Sequence, residues 1–154
     1  MEDMTGRVIS AIRTVRAPAT PGEYDIHAML AAAFDAAGLE YVHEYPLAPR
    51  CRLDFMCSGV AVEVKKGRPQ AARLTRQLSR YMQSDKVREM VVVVQKRAPL
   101  PETICGKRVH LISLNMLWGV ALPCTGIPDI CAMCRPRSIP TARFPTTAAQ
   151  NAGP

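Results

Sequence analysis

The sequence predicts a single α/β domain in which helices flank a mixed central β-sheet. Three patterns support this fold class: apolar residues recur at helical spacing in several segments, two alternating runs meet at a Ser-Gly pair, and residues 90–94 form a continuous apolar run. A chain of 154 residues with 48% hydrophobic content can bury one core. The elements follow the order α-β-β-β-α-β within residues 20–122.

Residues 1–19 are predicted to form an N-terminal helix and a linker. Apolar residues recur at helical spacing over residues 5–15, with Thr5 as the expected cap, and Pro18 then breaks the pattern. We expect this helix to pack against the domain rather than to bind nucleic acid.

A second helix is predicted to begin at Thr20 and to end at Gly38. Thr20 and Glu23 have the spacing of a capping box, and Pro21 suits the first helical position. Glu23 therefore has a structural explanation, whereas Asp25 and His27 are expected at the surface. The buried stripe of this helix consists of Ile26, Met29, Leu30, Ala33, Phe34 and Ala37.

Residues 41–47 read as a strand because they are rich in β-branched and aromatic side chains. Glu44 is predicted on the face opposite Tyr41, His43 and Tyr45. A solvated strand acid is expected there, and a carboxylate belonging to a functional site is the alternative.

Residues 52–67 are predicted to form a β-hairpin around the pair Ser58-Gly59. In that register Phe55 faces Val62 and Asp54 faces Glu63. Because side chains alternate along a strand, the apolar side chains of both strands are expected to point to the same face of the sheet. These side chains are Leu53, Phe55 and Cys57, opposite Val60, Val62 and Val64.

The predicted opposition of Asp54 and Glu63 is unfavourable by itself, because like charges across an antiparallel pair are destabilising. Two carboxylates at this spacing suit Mg²⁺, which takes about one or two carboxylates together with waters and phosphate oxygens. Lys65 lies on the same face and could contact a phosphate. The alternative is a solvated polar face in which Arg52 and Lys65 neutralise the two acids.

A third helix is predicted over residues 70–83. Leu74, Leu78 and Tyr81 form its inner stripe, while a basic flank runs beside Gln77. Phosphate contact is expected from this flank and from the residues before it. The predicted nucleic-acid-binding residues are Lys66, Arg68, Arg73, Arg76, Arg80 and Tyr81.

Two further strands complete the predicted sheet. Residues 90–94 suit a central strand buried on both faces, and residues 108–114 form another strand after a loop over residues 96–107. Asn115 is expected to cap a short helix that extends to Ala121.

Asp54, Glu63-Val64-Lys65 and Gln77 together resemble the signature of the PD-(D/E)XK nuclease superfamily. The spacing from Gln77 to Tyr81 is also similar to the Gln-x-x-x-Tyr pattern of RecB-type members, whereas Leu53 stands where the signature has Pro. The resemblance implies that Asp54, Glu63 and the Val64 carbonyl hold Mg²⁺, with Mn²⁺ as a substitute.

The same resemblance implies catalytic roles for other residues. Lys65 and Gln77 would act with the metal, and relatives carry a glutamate on the first core helix, which corresponds to Glu23. The implied activity is metal-dependent hydrolysis of nucleic acid, with DNA the expected substrate, by a small enzyme of phage or mobile-element type. The alternative is a catalytically silent nucleic-acid-binding protein that keeps the fold, and a homodimer is left open.

Charge and composition agree with a nucleic-acid partner in the cytoplasm. The formal net charge is +7 with a pI near 9.4, which suits a polyanion. No apolar run approaches the ~20 residues that span a membrane, so no membrane partner is expected. The N-terminus lacks the pattern of a secretory signal, so the six cysteines are expected to be reduced.

Residues 123–154 are predicted to form a disordered tail, because Pro, Thr and Ala dominate and apolar periodicity is lost. The tail contains Cys124, Cys131 and Cys134. The Cys-x-x-Cys pair is half of a zinc site, and no second pair of fitting spacing follows it. A zinc- or thiol-based interaction module is the alternative reading of this segment.

Overall fold

The computed structural model describes residues 3–16 and 21–117. The predicted tail, with Cys124, Cys131 and Cys134, lies outside these residues. The described elements are α1 (Met4–Thr14), α2 (Glu23–Ala36), β1 (Val42–Ala48), β2 (Cys51–Cys57), β3 (Val60–Lys65), α3 (Ala71–Met82), β4 (Glu89–Val94), β5 (Thr103–Ile104), β6 (Lys107–Ser113) and α4 (Leu114–Leu117).

The strands form a six-stranded mixed sheet in the order β1-β2-β3-β4-β6-β5. The first three strands pair antiparallel, β3, β4 and β6 run parallel, and β5 returns antiparallel to β6. Helix α3 provides the crossover that a parallel β3–β4 pair requires. The predicted mixed α/β fold is therefore confirmed.

The hairpin of β2 and β3 has the predicted register. Phe55 faces Val62 and Cys57 faces Val60, and the two turn residues Ser58 and Gly59 both have positive φ. Two consecutive positive φ values are typical of the two-residue turns that match the twist of paired strands.

The predicted alternation along β2 is wrong at Leu53. Phe55 and Cys57 belong to the core cluster under α1 and α2, whereas Leu53 packs into the cluster under α3. The neighbouring strand has the same break, because Tyr45 packs with Leu53 while Glu44 has a positive φ of 53°. The faces of β1 and β2 therefore reverse together beside Asp54, at the position of this left-handed residue.

Two hydrophobic layers enclose the sheet. Helices α1 and α2 cover one face with Val8, Ile12, Leu30 and Phe34. Helix α3 covers the other face with Leu74, Leu78, Tyr81 and Met82. Strand β4 lies between β3 and β6 and its residues 90–94 are fully buried, as the apolar run predicted.

The predicted starts of the first two helices are wrong. Helix α1 begins at Met4 after Asp3, and Thr5 is buried within the helix instead of capping it. Helix α2 begins at Glu23 with Gly22 at the N-cap position, where Asp25 Oδ2 accepts a hydrogen bond from the Gly22 amide at 2.7 Å. Asp25 takes the role predicted for Glu23 because it lies three residues beyond the N-cap residue.

Two shorter elements also differ from the prediction. The short strand β5 lies in the segment predicted as a loop, and the last described helix begins at Leu114. Among residues 3–16 and 21–117, every helix is too short or too polar to cross a membrane.

Candidate active site

A cleft of about 360 Å³ lies at the carboxyl end of β3, and of the residues predicted from the hairpin Lys65 lines it, whereas Asp54 and Glu63 do not. Glu63 is connected to the cleft through its contacts with Lys65 and Gln77. Helix α3 forms one wall and the first turn of α2 reaches the other. Its polar lining comprises Glu23, Lys65, Lys66, Gln70, Arg73 and Gln77. Parallel strands end at the same edge of a sheet, which is where α/β folds commonly bind ligands.

Glu63 is the most deeply buried charged side chain of this region, with 1% exposure. Its Oε1 atom contacts Lys65 Nζ at 2.6 Å and accepts a hydrogen bond from Gln77 Nε2, also at 2.6 Å. Its Oε2 atom is buried and has no hydrogen-bond partner among the described residues. One carboxylate oxygen is therefore held by the protein while the other is left without a partner.

Burial raises the pKa of Glu63 to about 7, and repulsion from Asp54 adds to this effect. The charge and hydrogen bond of Lys65 and the hydrogen bond from Gln77 act in the opposite direction. Burial of Lys65 lowers the pKa of its ammonium group, but the charge and hydrogen bond of Glu63 together with the charges of Asp54 and Glu23 outweigh burial, and the pKa of Lys65 is raised. Lys65 therefore carries its charge when it faces Glu63.

Asp54 lies where β2 and β3 separate. The pairing of these strands extends to Phe55 and Val62, and beyond that point Asp54 Oδ2 accepts a hydrogen bond from the Val64 amide at 2.7 Å. The side chain of Asp54 is 24% exposed. Asp54 therefore satisfies a buried backbone amide of the next strand and still reaches solvent near Glu63.

Gln77 forms hydrogen bonds with two buried side chains, Glu63 on β3 and Tyr81 on α3. Its Nε2 atom donates to Glu63 Oε1 and also to the hydroxyl oxygen of Tyr81 at 2.7 Å. Tyr81 is 5% exposed and packs in the core cluster under α3. The Gln-x-x-x-Tyr spacing thus places both residues on one side of α3, and Tyr81 supports Gln77 from within the core.

His27 was predicted at the surface, but its side chain is only 14% exposed and faces Asp54. Its Nε2 atom is buried, has no hydrogen-bond partner within residues 3–16 and 21–117, and lies 3.8 Å from Asp54 Oδ2. Its Nδ1 atom lies 3.1 Å from Nε2 of His43. His27 follows Glu23 by one helical turn, which was the sequence signal for a shared helix face.

The two additional acids take different positions. Glu23 is exposed at the mouth of the cleft and its carboxylate contributes to the raised pKa of Lys65. Glu44 instead forms an exposed ion pair with Arg52 at 3.1 Å. Only Glu23 therefore borders the cleft.

Only two of the six predicted nucleic-acid-binding residues line this cleft, and Tyr81 is buried in the core. Lys66 and Arg73 line it, whereas Arg68 lines a separate groove. Arg76 and Arg80 are exposed on α3 and are not among the residues lining the cleft.

Within residues 3–16 and 21–117, no three His, Cys, Asp or Glu side chains converge in a geometry that could hold a metal ion by themselves. Mg²⁺ does not need such a cage, because it usually retains several waters and binds about one or two carboxylates. The partnerless Glu63 Oε2 beside Asp54 fits this requirement. No family model matches the chain, and comparisons with curated proteins and with solved structures found no match.

Proposed function

We propose that the protein is a metal-dependent nuclease that hydrolyses phosphodiester bonds, with DNA as its substrate. The observation that carries the proposal is the buried Glu63 carboxylate with one partnerless oxygen beside Asp54. An isolated buried charge is expensive unless it is paired or binds a cation. Lys65 compensates one oxygen of Glu63, and a divalent cation would compensate the other.

Asp54, Glu63 and the carbonyl group of Val64 would hold Mg²⁺, for which Mn²⁺ would substitute. When bound, the ion would lower the pKa of a water molecule and stabilise charge on the phosphate oxygens. The raised pKa of Glu63 fits this role, because a cation favours the ionised carboxylate that burial disfavours. The exposure of Asp54 leaves room for water and substrate on its side.

Lys65 and Gln77 would orient Glu63 and prepare the cleft for a phosphate. Both contact Glu63 Oε1, so they hold the carboxylate in one rotamer with Oε2 free. Lys65 is 27% exposed along its side chain, so its ammonium group can also meet the attacking water or a phosphate oxygen.

Lys66 and Arg73 would bind the phosphates next to the scissile bond. Both line the cleft, and neither forms an ion pair with any carboxylate in the described part of the chain. Such cations bind phosphates without reading sequence. Glu23 lies on the opposite wall, where its carboxylate would position water.

The test is a cleavage panel with linear duplex, branched and single-stranded DNA, and with RNA, in Mg²⁺, Mn²⁺ or EDTA. We expect cleavage with either metal, none in EDTA, and a loss of at least about 100-fold in Glu63→Gln, in line with the magnitude of positioned catalytic groups. Glu44→Gln, purified identically, is the matched control because its acid is exposed and paired with Arg52. It should cleave at the wild-type rate.

Residual cleavage that is equal in wild type and Glu63→Gln would indicate a contaminating nuclease and would refute the proposal. Salt-dependent DNA binding without cleavage under any metal would instead identify the silent binding protein.

A further inference from the structure

A groove of about 1140 Å³ on the described surface is separate from the cleft beside Lys65. It follows the outer side of β6 between α1 and the segment that leads into β5. Four arginines among the described residues line it, and Glu102 is the only carboxylate of those residues that does so. The arginines are Arg13, Arg68, Arg97 and Arg108.

These four arginines are available to an external anion. All are exposed, and none forms an ion pair with a carboxylate of the described residues. His110 also lines the groove, but its Nε2 atom already contacts Glu89 Oε2 at 2.8 Å. Like charges gathered along one groove repel each other, so the arrangement favours a polyanionic ligand.

The groove and the cleft share one loop. Lys66 and Pro69 line the cleft, whereas Arg68 between them lines the groove. Gln95 holds this loop against the end of β4: its Oε1 atom accepts from the Gly67 amide at 3.0 Å and its own backbone amide donates to the Lys65 carbonyl at 3.1 Å. A ligand that crosses this loop would contact both depressions.

The lining indicates what the groove recognises. Among the described residues that form it there is no Phe, Tyr, Trp, Asn or Gln, and its one imidazole, that of His110, is held by Glu89. The large aromatic platforms on which bases stack and the amide groups that read adenine edges are therefore missing from the described lining. Guanidinium groups remain, and they bind phosphate oxygens in a bidentate manner.

We infer that this arginine groove binds the sugar-phosphate backbone of the nucleic acid that flanks the scissile bond. The inference rests on the proposed nuclease function for the identity of the ligand. Residues 118–154 of the same chain are a poor alternative occupant, because their sequence carries three arginines and a single aspartate. The groove would extend the binding site away from the cleft without adding sequence preference.

The experiment measures affinity for duplex and single-stranded DNA as a function of salt, in EDTA, so that no cleavage is needed. For Arg97→Ala/Arg108→Ala in the full chain, the slope of log affinity against log salt should become shallower by about two units for duplex and slightly less for a single strand. Lys86→Ala is the matched control, because Lys86 is exposed and lines neither depression. Its slope should be that of the wild type.

A second measurement uses oligonucleotides of increasing length. The loss of affinity in Arg97→Ala/Arg108→Ala should grow with length and should be the same for unrelated sequences, because phosphate contacts carry no sequence information. Unchanged salt slopes at every length would overturn the groove assignment while leaving the nuclease proposal intact. Wild-type binding of polyglutamate as tight as that of DNA at equal charge would overturn the choice of nucleic acid.

The nuclease proposal and the groove proposal can be refuted independently of each other. Loss of cleavage in Glu63→Gln together with wild-type salt slopes in the groove variant would support the nuclease and reject the groove. A shallower slope in the groove variant of a protein that cleaves nothing would support the groove and reject the nuclease. The melting temperature of each variant, measured by circular dichroism, checks that the fold is unchanged. No change is expected for the groove variant, because its arginines are exposed and form no ion pair with the described carboxylates.

Discussion

Replacing Glu63 with Gln should remove an electrostatic penalty from the metal-free protein. The pKa of Glu63 is raised from 4.5 to about 7, with burial as the main cause. Well below pH 4.5 the carboxyl group is protonated in both the folded and the unfolded state, so it imposes no penalty. As the pH rises through about 7, the folded state must hold a buried charge that the unfolded state holds in water.

The size of this penalty follows from the shift in pKa. Each pKa unit corresponds to about 1.4 kcal/mol, so the free energy of unfolding of the wild type should fall by on the order of 3 kcal/mol between about pH 4.5 and about pH 8 on account of Glu63. Glu63→Gln lacks this dependence. Its gain at the higher pH should be smaller than the full amount, because the neutral amide introduced by the substitution would no longer attract the charge of Lys65.

The assay is thermal and denaturant unfolding of wild type, Glu63→Gln and Glu44→Gln at about pH 4.5 and about pH 8, with EDTA or Mg²⁺. At the higher pH in EDTA, Glu63→Gln should be at least as stable as the wild type, with a melting temperature at most about 10 °C higher. Mg²⁺ should stabilise the wild type at that pH and leave Glu63→Gln unchanged. Glu44→Gln, whose acid is exposed, should respond to Mg²⁺ as the wild type does.

A marked loss of stability in Glu63→Gln at the higher pH in EDTA would refute this reasoning. It would show that the pair formed by Glu63 and Lys65 stabilises the fold, and that Glu63 is a structural residue.

Three further predictions concern the other residues of the cleft. Asp54→Asn should lose cleavage but keep an acceptor for the Val64 amide. Asp54→Ala should also lose about 1–3 kcal/mol of stability in urea unfolding, because that buried amide loses its partner. Equal stability of the two variants would contradict the role of Asp54 in the hairpin. Asp25→Ala should lose about 1 kcal/mol of stability and keep its turnover, because Asp25 holds the N-terminus of α2. Glu23→Gln should lose turnover and keep its stability, because Glu23 lines the cleft. The reverse result would restore Glu23 as the capping residue. Gln77→Leu should move the acidic limb of the pH–rate profile to higher pH, because the hydrogen bond from Gln77 lowers the pKa of Glu63, and an unmoved limb would exclude Glu63 as the titrating group.

Local patterns in the sequence were sufficient for most of the fold. Alternation around Ser58-Gly59 predicted the hairpin register, and the apolar run at residues 90–94 predicted the central strand. These predictions succeed because a two-residue turn and a strand buried on both faces each depend on residues that are adjacent in the chain. The paired register ends at Phe55 and Val62, so Asp54 and Glu63 come directly after its last pair, where the strands separate.

Local patterns were insufficient where several residues compete for one role. Thr20 and Glu23 have the spacing of a capping box, but Gly22 and Asp25 have the same spacing and form the N-terminus of α2. The faces of β1 and β2 likewise reverse where Glu44 takes a left-handed conformation, which no period-two pattern can indicate.

The sequence by itself determined the hairpin, the order of the elements except β5, and the presence of Asp54 on β2 and of Glu63 and Lys65 on β3, since all of these depend on short-range spacing. Only the tertiary structure decided how those groups are charged and which distant residues join them. The pKa of Glu63 depends on α3 covering it, and His27 reaches Asp54 because α2 packs across β2. Burial and electrostatic coupling depend on all the elements that enclose a group, so they arise only when the chain has folded.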